Sequence, residues 1–202
     1  MIPAFTLGLG WSEEELLCAV DLLLTMGYRR LYLIDMLSVI GQQPQRRVVE
    51  RVLDLKPEVV YVEVGSAAAL RGVEGIRRVV GTEHLRDEND LDRLRHAGVI
   101  VSVDVAGTQV VAEGPLKQHS PESVFAILSG LGFKEAVLFE VKKGLSQLAV
   151  NRMLLQRCAQ RFLGDLIYGG NAVHHRDIVA AVRAGARWVL VDARAILEGR
   201  IR

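Results

Sequence analysis

The chain has 202 residues, half of them hydrophobic, and carries 25 Lys and Arg against 24 Asp and Glu. This near-neutral balance excludes the electrostatic footprint of a nucleic-acid-binding protein and a basic patch for a membrane surface. Charged residues break the apolar runs well short of the roughly 18 residues that a membrane span needs. There is no signal-peptide pattern, and Cys18 and Cys158 form no CxxC motif, so we expect a cytoplasmic protein.

Short runs of β-branched residues alternate with amphipathic segments along the whole chain. The predicted strands are residues 2–8, 30–35, 59–65, 77–82, 99–105, 135–141, 164–169 and 187–192. Nearly all are apolar on both faces, which is typical of parallel strands covered by helices.

The predicted helices fill the spaces between these strands. They are residues 12–27, 44–55, 87–98, 120–132, 147–162 and 174–185. Ser12 and Ser120 have the positions of N-caps, since acidic residues follow each of them. Gly27, Gly132 and Gly185 are placed to end their helices.

An internal repeat favours a closed barrel over an open sheet. The segment GYRRLYLID begins at Gly27 and GFKEAVLFE begins at Gly132, and the same offset brings Gly65 onto Gly170. Each half is therefore a four-strand βα unit, and two such units make an α/β (βα)8 TIM barrel. We predict a single domain with halves at about 1–98 and 99–202.

Glycine turns at the ends of the predicted strands are candidate phosphate sites. A phosphate needs backbone N–H groups at a helix start and an approach that no Cβ obstructs. The alternative is that these glycines only form tight turns. The predicted phosphate-binding residues are Gly65, Ser66, Gly81, Thr82, Gly169, Gly170, Asn171 and Arg194.

Four segments resemble the histidine-biosynthesis barrels (the HisA/HisF family), which include the ribotide isomerase and the cyclase subunit of imidazole glycerol phosphate synthase. They are LYLIDMLSVIG, VVGTEHL, VIVSVDVAGTQVVAEG and residues 167–201. The likeness is closest to an isomerase-related branch linked to tetrahydromethanopterin-type one-carbon metabolism. The resemblance implies a barrel that holds a ligand with two phosphates, one per half.

The resemblance also implies acid–base catalysis by carboxylates at the ends of the first and fifth predicted strands. Asp104 matches the second of these and is the principal catalytic candidate, with a structural turn as the alternative. Thr6 stands where the first carboxylate is expected, and a hydroxyl without an activating neighbour is no base at neutral pH. Three other strand-end carboxylates are candidates for catalysis or for ion pairs, namely Asp35, Glu140 and Asp192.

Two functions follow from these residues. The first is an isomerase or lyase-like enzyme acting on a small phosphorylated sugar or ribotide through Asp104. The second is a catalytically reduced barrel that binds a phosphorylated metabolite or a partner protein and supports one-carbon cofactor synthesis. We expect neither a metal nor a cofactor, and His84 either contacts a ligand or caps its turn.

The first predicted helix is apolar around most of its circumference, more than one barrel-facing stripe requires. We therefore predict that it also forms a contact between copies of the chain. Sedimentation analysis should show an oligomer, and a clean monomer would contradict this prediction.

Overall fold

The computed structural model describes residues 1–141, 149–170 and 172–201. The chain divides into two compact units, one comprising Met1–Val80 with Val191–Arg202 and the other Gly81–Leu190. The prediction of a single domain with halves near residue 98 stays a prediction.

The first unit contains a run of parallel strands that pair in chain order. They are β1 (Ile2–Leu7), β2 (Arg30–Asp35), β3 (Val59–Glu63) and β4 (Ile76–Gly81), of which Gly81 begins the second unit. Its helices are α1 (Glu13–Thr25), α2 (Met36–Val39), α3 (Arg46–Asp54) and, near the C-terminus, α8 (Ala193–Leu197). Leu33 pairs with Phe5 on one side and with Val62 on the other, and all three side chains are buried.

The second unit repeats this arrangement. Its parallel strands are β5 (Ile100–Ala106), β7 (Glu135–Glu140), β8 (Asp165–Gly169) and the first residues of β9 (Trp188–Asp192), which pair in that order. A two-residue strand, β6 (Gln109–Val110), turns back antiparallel to β5. The helices are α4 (Glu88–His96), α5 (Pro121–Leu131), α6 (Arg152–Arg161) and α7 (His175–Arg183), with 3₁₀ turns at Thr82–His84 and Gly114–Gln118.

Local capping explains where the helices begin. Ser12 accepts a hydrogen bond from the Glu15 amide (3.2 Å), and the Glu15 carboxylate accepts one from the Ser12 amide (2.8 Å). This reciprocal pair satisfies two amides that the first helical turn leaves open. Ser120 caps α5 in the same way through the Ser123 amide at 3.2 Å. Both predicted N-caps are therefore confirmed.

All eight predicted strands are present, with shifts of one or two residues at their ends. Thr82 was expected at the end of the fourth strand but lies in the 3₁₀ turn, where its side-chain oxygen accepts a hydrogen bond from the Asp104 amide of β5. Helix α6 begins at Arg152 rather than near 147, since the Asn151 side chain caps the Leu154 amide. Residues 142–148 lie outside the described part of the chain.

Eight parallel strands that alternate with helices give the α/β fold of a TIM barrel, as the sequence predicts. Of the described residues, no helix is both long and apolar enough to cross a membrane.

Helix α1 packs Leu16, Val20 and Leu23 into the core of the first unit, whereas Leu22 and the C-cap residue Met26 are about half exposed. These two side chains, one helical turn apart, are consistent with the wide apolar circumference seen in the sequence. An oligomer contact through α1 stays a prediction.

A substitution at Gly170 tests how closely β7 and the turn after β8 approach each other. It has a φ of 112°, and an added Cβ would lie 2.2 Å from the carbonyl oxygen of Glu140. Gly170→Ala should therefore lower the free energy of unfolding by about 2 kcal/mol or more.

The matched control is Gly130→Ala in α5, where an added Cβ meets nothing within 4 Å. Alanine should stabilise that helix by up to about 1 kcal/mol. Equal denaturation midpoints for Gly170→Ala and the unaltered chain would contradict the packing described.

Candidate acid–base site

In TIM barrels the functional groups lie at the carboxyl ends of the strands. Within the second unit, this end carries the 3₁₀ turn that follows β4 and the last residues of β5. Thr82, Glu83 and His84 form the turn, and Asp104 lies two residues before the end of β5.

Thr82 attaches the turn to β5. Its side-chain oxygen accepts a hydrogen bond from the Asp104 amide at 3.0 Å and donates one to the carbonyl of Val111 at 2.8 Å. The side chain is fully buried, so these bonds form away from competing water. The turn is therefore held beside Asp104.

Asp104 is 5% exposed, and Ser102 donates a hydrogen bond to its Oδ1 at 3.0 Å. Both residues are in β5 and are two positions apart, so their side chains share one face of the strand. A Ser–Asp contact at this spacing fixes the carboxyl orientation.

The side chain of Glu83 extends from the 3₁₀ turn toward the carboxyl group of Asp104. A Cβ added to Gly81 would lie 1.9 Å from Glu83 Oε2 and 2.6 Å from Asp104 Oδ2. Glu83 and Asp104 (the carboxyl pair) present ligand oxygens within 4.8 Å of each other. Gly81 thus provides the space that both carboxyl groups fill.

The ionisation of Glu83 reflects two opposing effects. Burial raises the pKa of Glu83, but hydrogen bonds with the His84 and Asp104 side chains and with backbone outweigh it and lower the pKa to about 2. His84 Nε2 lies 3.3 Å from Glu83 Oε1. Glu83 is therefore a carboxylate throughout the physiological pH range.

A hydrogen bond between two carboxyl groups requires one proton. Glu83 Oε2 is buried, and no N–H or O–H group of the described residues donates a hydrogen bond to it. Carboxyl oxygens within 4.8 Å of each other repel when both groups are charged, which favours a pair that shares one proton. A pair that shares one proton has a proton donor beside a proton acceptor, as acid–base catalysis requires.

The other carboxylate candidates make structural hydrogen bonds. Asp35 is fully buried and accepts bonds from the Ser38 and Gln45 amides at 3.2 and 2.7 Å. Glu140 accepts one from the Tyr168 hydroxyl at 2.7 Å. Asp192 is exposed and caps the Arg194 amide at 2.9 Å. These contacts favour the structural alternative, and catalysis by any of the three stays a prediction.

The predicted phosphate residues have differing surroundings. The Thr82 hydroxyl is already engaged, and two carboxyl groups adjoin Gly81. A Cβ at Gly169 would lie 2.7 Å from the Phe139 ring, so close packing also explains this glycine. The Arg194 guanidinium lies 4.6 Å from the centre of the Trp11 ring. Phosphate binding at these positions stays a prediction, and Asn171 lies outside the described residues.

Gly65 and Ser66, the remaining predicted phosphate residues, line a cavity of the first unit. An added Cβ at Gly65 would lie 2.2 Å from the Ser38 carbonyl oxygen, so this turn requires a glycine.

Glu83 was missed in the sequence analysis, although it stands in VVGTEHL between a glycine turn and a histidine. The periodicity of the sequence identifies strands and helices, but it does not show that a carboxylate after β4 lies close to one near the end of β5. The sequence did show that an acidic residue stands near the end of each of these two consecutive strands.

Because the pKa of Glu83 is lowered in the folded state, the free energy of unfolding should decrease at acid pH. Its folded-state pKa of about 2 lies below the ordinary 4.5, so its stabilising contribution is complete above 4.5 and is lost as the pH falls toward 2. The full contribution is on the order of 2–3 kcal/mol.

Denaturant unfolding from pH 4.5 to pH 3 should show a steeper loss for the unaltered chain than for Glu83→Gln. The control is Glu113→Gln, which replaces an exposed glutamate of the same unit. Parallel stability curves for the unaltered chain and Glu83→Gln would contradict the assignment.

Comparison with known proteins gives the fold. No family model and no curated protein matches the chain. An N-acetylmannosamine-6-phosphate 2-epimerase from Clostridium perfringens matches with a TM-score of 0.67 and 9% identity, over 98% of this chain and 90% of the other. QR15, an aldolase, matches with a TM-score of 0.62 and 11% identity, over 98% and 94%.

A FabK mutant from Thermotoga maritima matches with a TM-score of 0.60 and 13% identity over 97% of this chain, which spans 62% of the FabK chain. The matched structures are TIM-barrel enzymes, and at these identities the likeness concerns the fold alone. The chain is an α/β TIM barrel.

Proposed function

We propose that the protein is an acid–base catalyst of the isomerase type that acts on a small phosphorylated sugar or ribotide. The carboxyl pair carries this proposal, because Glu83 and the buried Asp104 present oxygens within 4.8 Å of each other, and we propose that they share one proton, with Asp104 as its donor. Proton transfer between adjacent substrate atoms needs one group of each kind.

The contact between the two groups suggests how the pair works. In the resting state the hydrogen bond from Asp104 contributes to the low pKa of Glu83, which makes Glu83 a weak base. When Asp104 gives its proton to a substrate oxygen, that hydrogen bond is lost. Without this hydrogen bond, the effect of burial raises the pKa of Glu83. Glu83 becomes a stronger base and can accept a proton from the substrate.

A proton shift from Glu83 back to Asp104 restores the resting state. Proton number is conserved over this cycle, and neither a metal nor a redox cofactor takes part. His84, 3.3 Å from Glu83, orients the glutamate and is a positioning residue in this scheme.

Two observations support a phosphorylated substrate. The strand-end glycines of both units have the sequence pattern of phosphate turns. The epimerase that shares the fold acts, by its name, on a sugar 6-phosphate. We infer that the substrate is of this general class.

The resemblance to the histidine-biosynthesis barrels is part of the proposal, with one restriction. Thr6 in β1 stands where that family has a carboxylate. The carboxyl pair of this chain is formed by β5 and the turn after β4 instead. We therefore expect no appreciable turnover of the histidine-pathway ribotide.

The second candidate is a catalytically reduced barrel that binds a phosphorylated metabolite or a partner protein, in support of one-carbon cofactor synthesis. The replacement of the expected acid by Thr6 favours it. It predicts ligand binding without proton transfer.

Solvent-proton exchange separates the two candidates. The chain is incubated in deuterated water with a panel of aldose, ketose and ribotide phosphates, and deuterium incorporation is measured by mass spectrometry. We expect exchange with at least one compound. Asp104→Asn and Glu83→Gln should each lower its rate by about 100-fold or more.

Asp92→Asn is the control, because Asp92 is a half-exposed residue of the same unit that pairs with Arg95 on α4. Exchange that survives Asp104→Asn unchanged would overturn the catalytic role of the pair. Saturable ligand binding without any exchange would favour the second candidate.

A further inference from the structure

A cavity of about 590 Å³ lies at the carboxyl ends of β2 and β3 in the first unit. One wall is the chain between α2 and the start of α3, and the other is the loop that follows β3. A cavity of this size accommodates a small metabolite.

The two walls meet closely at Ser38 and Gly65. The Gly65 amide donates to Ser38 Oγ at 3.2 Å, and only a glycine fits against the Ser38 carbonyl. Ser38 is 4% exposed and lines the cavity. Its hydroxyl proton has no acceptor among the described residues, so it can be donated to a ligand.

Asp35 lies beneath this wall and holds it in place. Its carboxylate accepts hydrogen bonds from the Ser38 amide, the Gln45 amide and the Gln45 side chain at 3.2, 2.7 and 3.2 Å. The buried charge is therefore satisfied by the wall itself. These bonds keep the wall in one shape whether or not a ligand is present.

The cavity carries positive charge. Arg46 and Arg71 line it, whereas no Asp or Glu does among the residues that form its described walls. The Arg46 Nε is paired with Glu50 at 2.9 Å, which leaves the two terminal nitrogens to bind a ligand. Arg46 Nη2 extends toward the opposite loop, where a Cβ added to Gly72 would lie 3.9 Å from it.

Arg71 makes no ion pair within the part of the chain that the structure describes. In addition, α3 begins at Arg46, and its N-cap Gln45 makes no capping side-chain hydrogen bond. The positive end of this nine-residue helix thus adds to the field of the two arginines.

We propose that this cavity is an anion site that binds the phosphate group of a small phosphate monoester. Arg46 and Arg71 bind the phosphate oxygens and the Ser38 hydroxyl donates to one of them. Gly65 and Ser66 belong to the same walls, which agrees with their glycine-turn pattern. The site does not depend on the proposed reaction, since its evidence lies within the first unit and its test is binding.

Titration with inorganic phosphate tests the site. The amide signals of Gly65 and Ser66 are followed by ¹H–¹⁵N NMR, and the dissociation constant is measured by calorimetry. Phosphate should shift both signals saturably. Arg46→Gln and Arg71→Gln should each weaken binding by about tenfold or more, because each removes charge-assisted hydrogen bonds.

Arg47→Gln is the matched control, since Arg47 is the next residue of the same helix, is exposed and does not line the cavity. It should leave the dissociation constant unchanged. Because Arg46 and Arg71 are exposed, their variants should unfold at the same temperature as the control without phosphate. Binding that is equally strong in all variants, or the absence of saturable shifts at Gly65 and Ser66, would overturn the proposal.

Discussion

The close approach of the two carboxyl groups of the carboxyl pair constrains the carboxyl end of the second unit. Two neighbouring carboxyl groups repel each other when both are charged, and Glu83 and Asp104 present oxygens within 4.8 Å of each other. Gly81 must lack a side chain to admit them, and Thr82 must hold the turn against β5. His84 and Ser102 each contact one member of the pair, so both carboxyl groups have fixed orientations.

The remaining strand-end acids contribute to architecture. Asp35 and Glu140 occupy equivalent positions in the repeat, and each accepts hydrogen bonds from the segment that follows its strand: Asp35 from Gln45 and Glu140 from Asn151. This common role explains why both halves keep a buried acid at that position. It also explains how the first unit can form a cationic cavity above a buried carboxylate, since the charge of Asp35 is satisfied inside the wall.

The sequence predicted the regular elements well, because their signals are local. Short β-branched runs that are apolar on both faces indicated the strands, and Ser12 and Ser120 indicated where α1 and α5 begin. Helix α2 and strand β6 were missed because four and two residues are too short to show a period. The importance of Glu83 and Arg71 was missed for a different reason. Glu83 lies beside Asp104, and Arg71 lines the same cavity as Arg46. These partners are distant in sequence, and only the folded chain brings them together.

The location of the shared proton is the central claim, and carboxyl-selective ¹³C NMR measures it directly. The chain is labelled at its Asp and Glu side-chain carboxyl carbons and titrated, with Asp104→Asn and Glu83→Gln used to assign the two signals. The account predicts an Asp104 signal at the protonated position at neutral pH, while the Glu83 signal stays at the ionised position until the pH approaches about 2. Two signals that both report ionised carboxylates at neutral pH would contradict it.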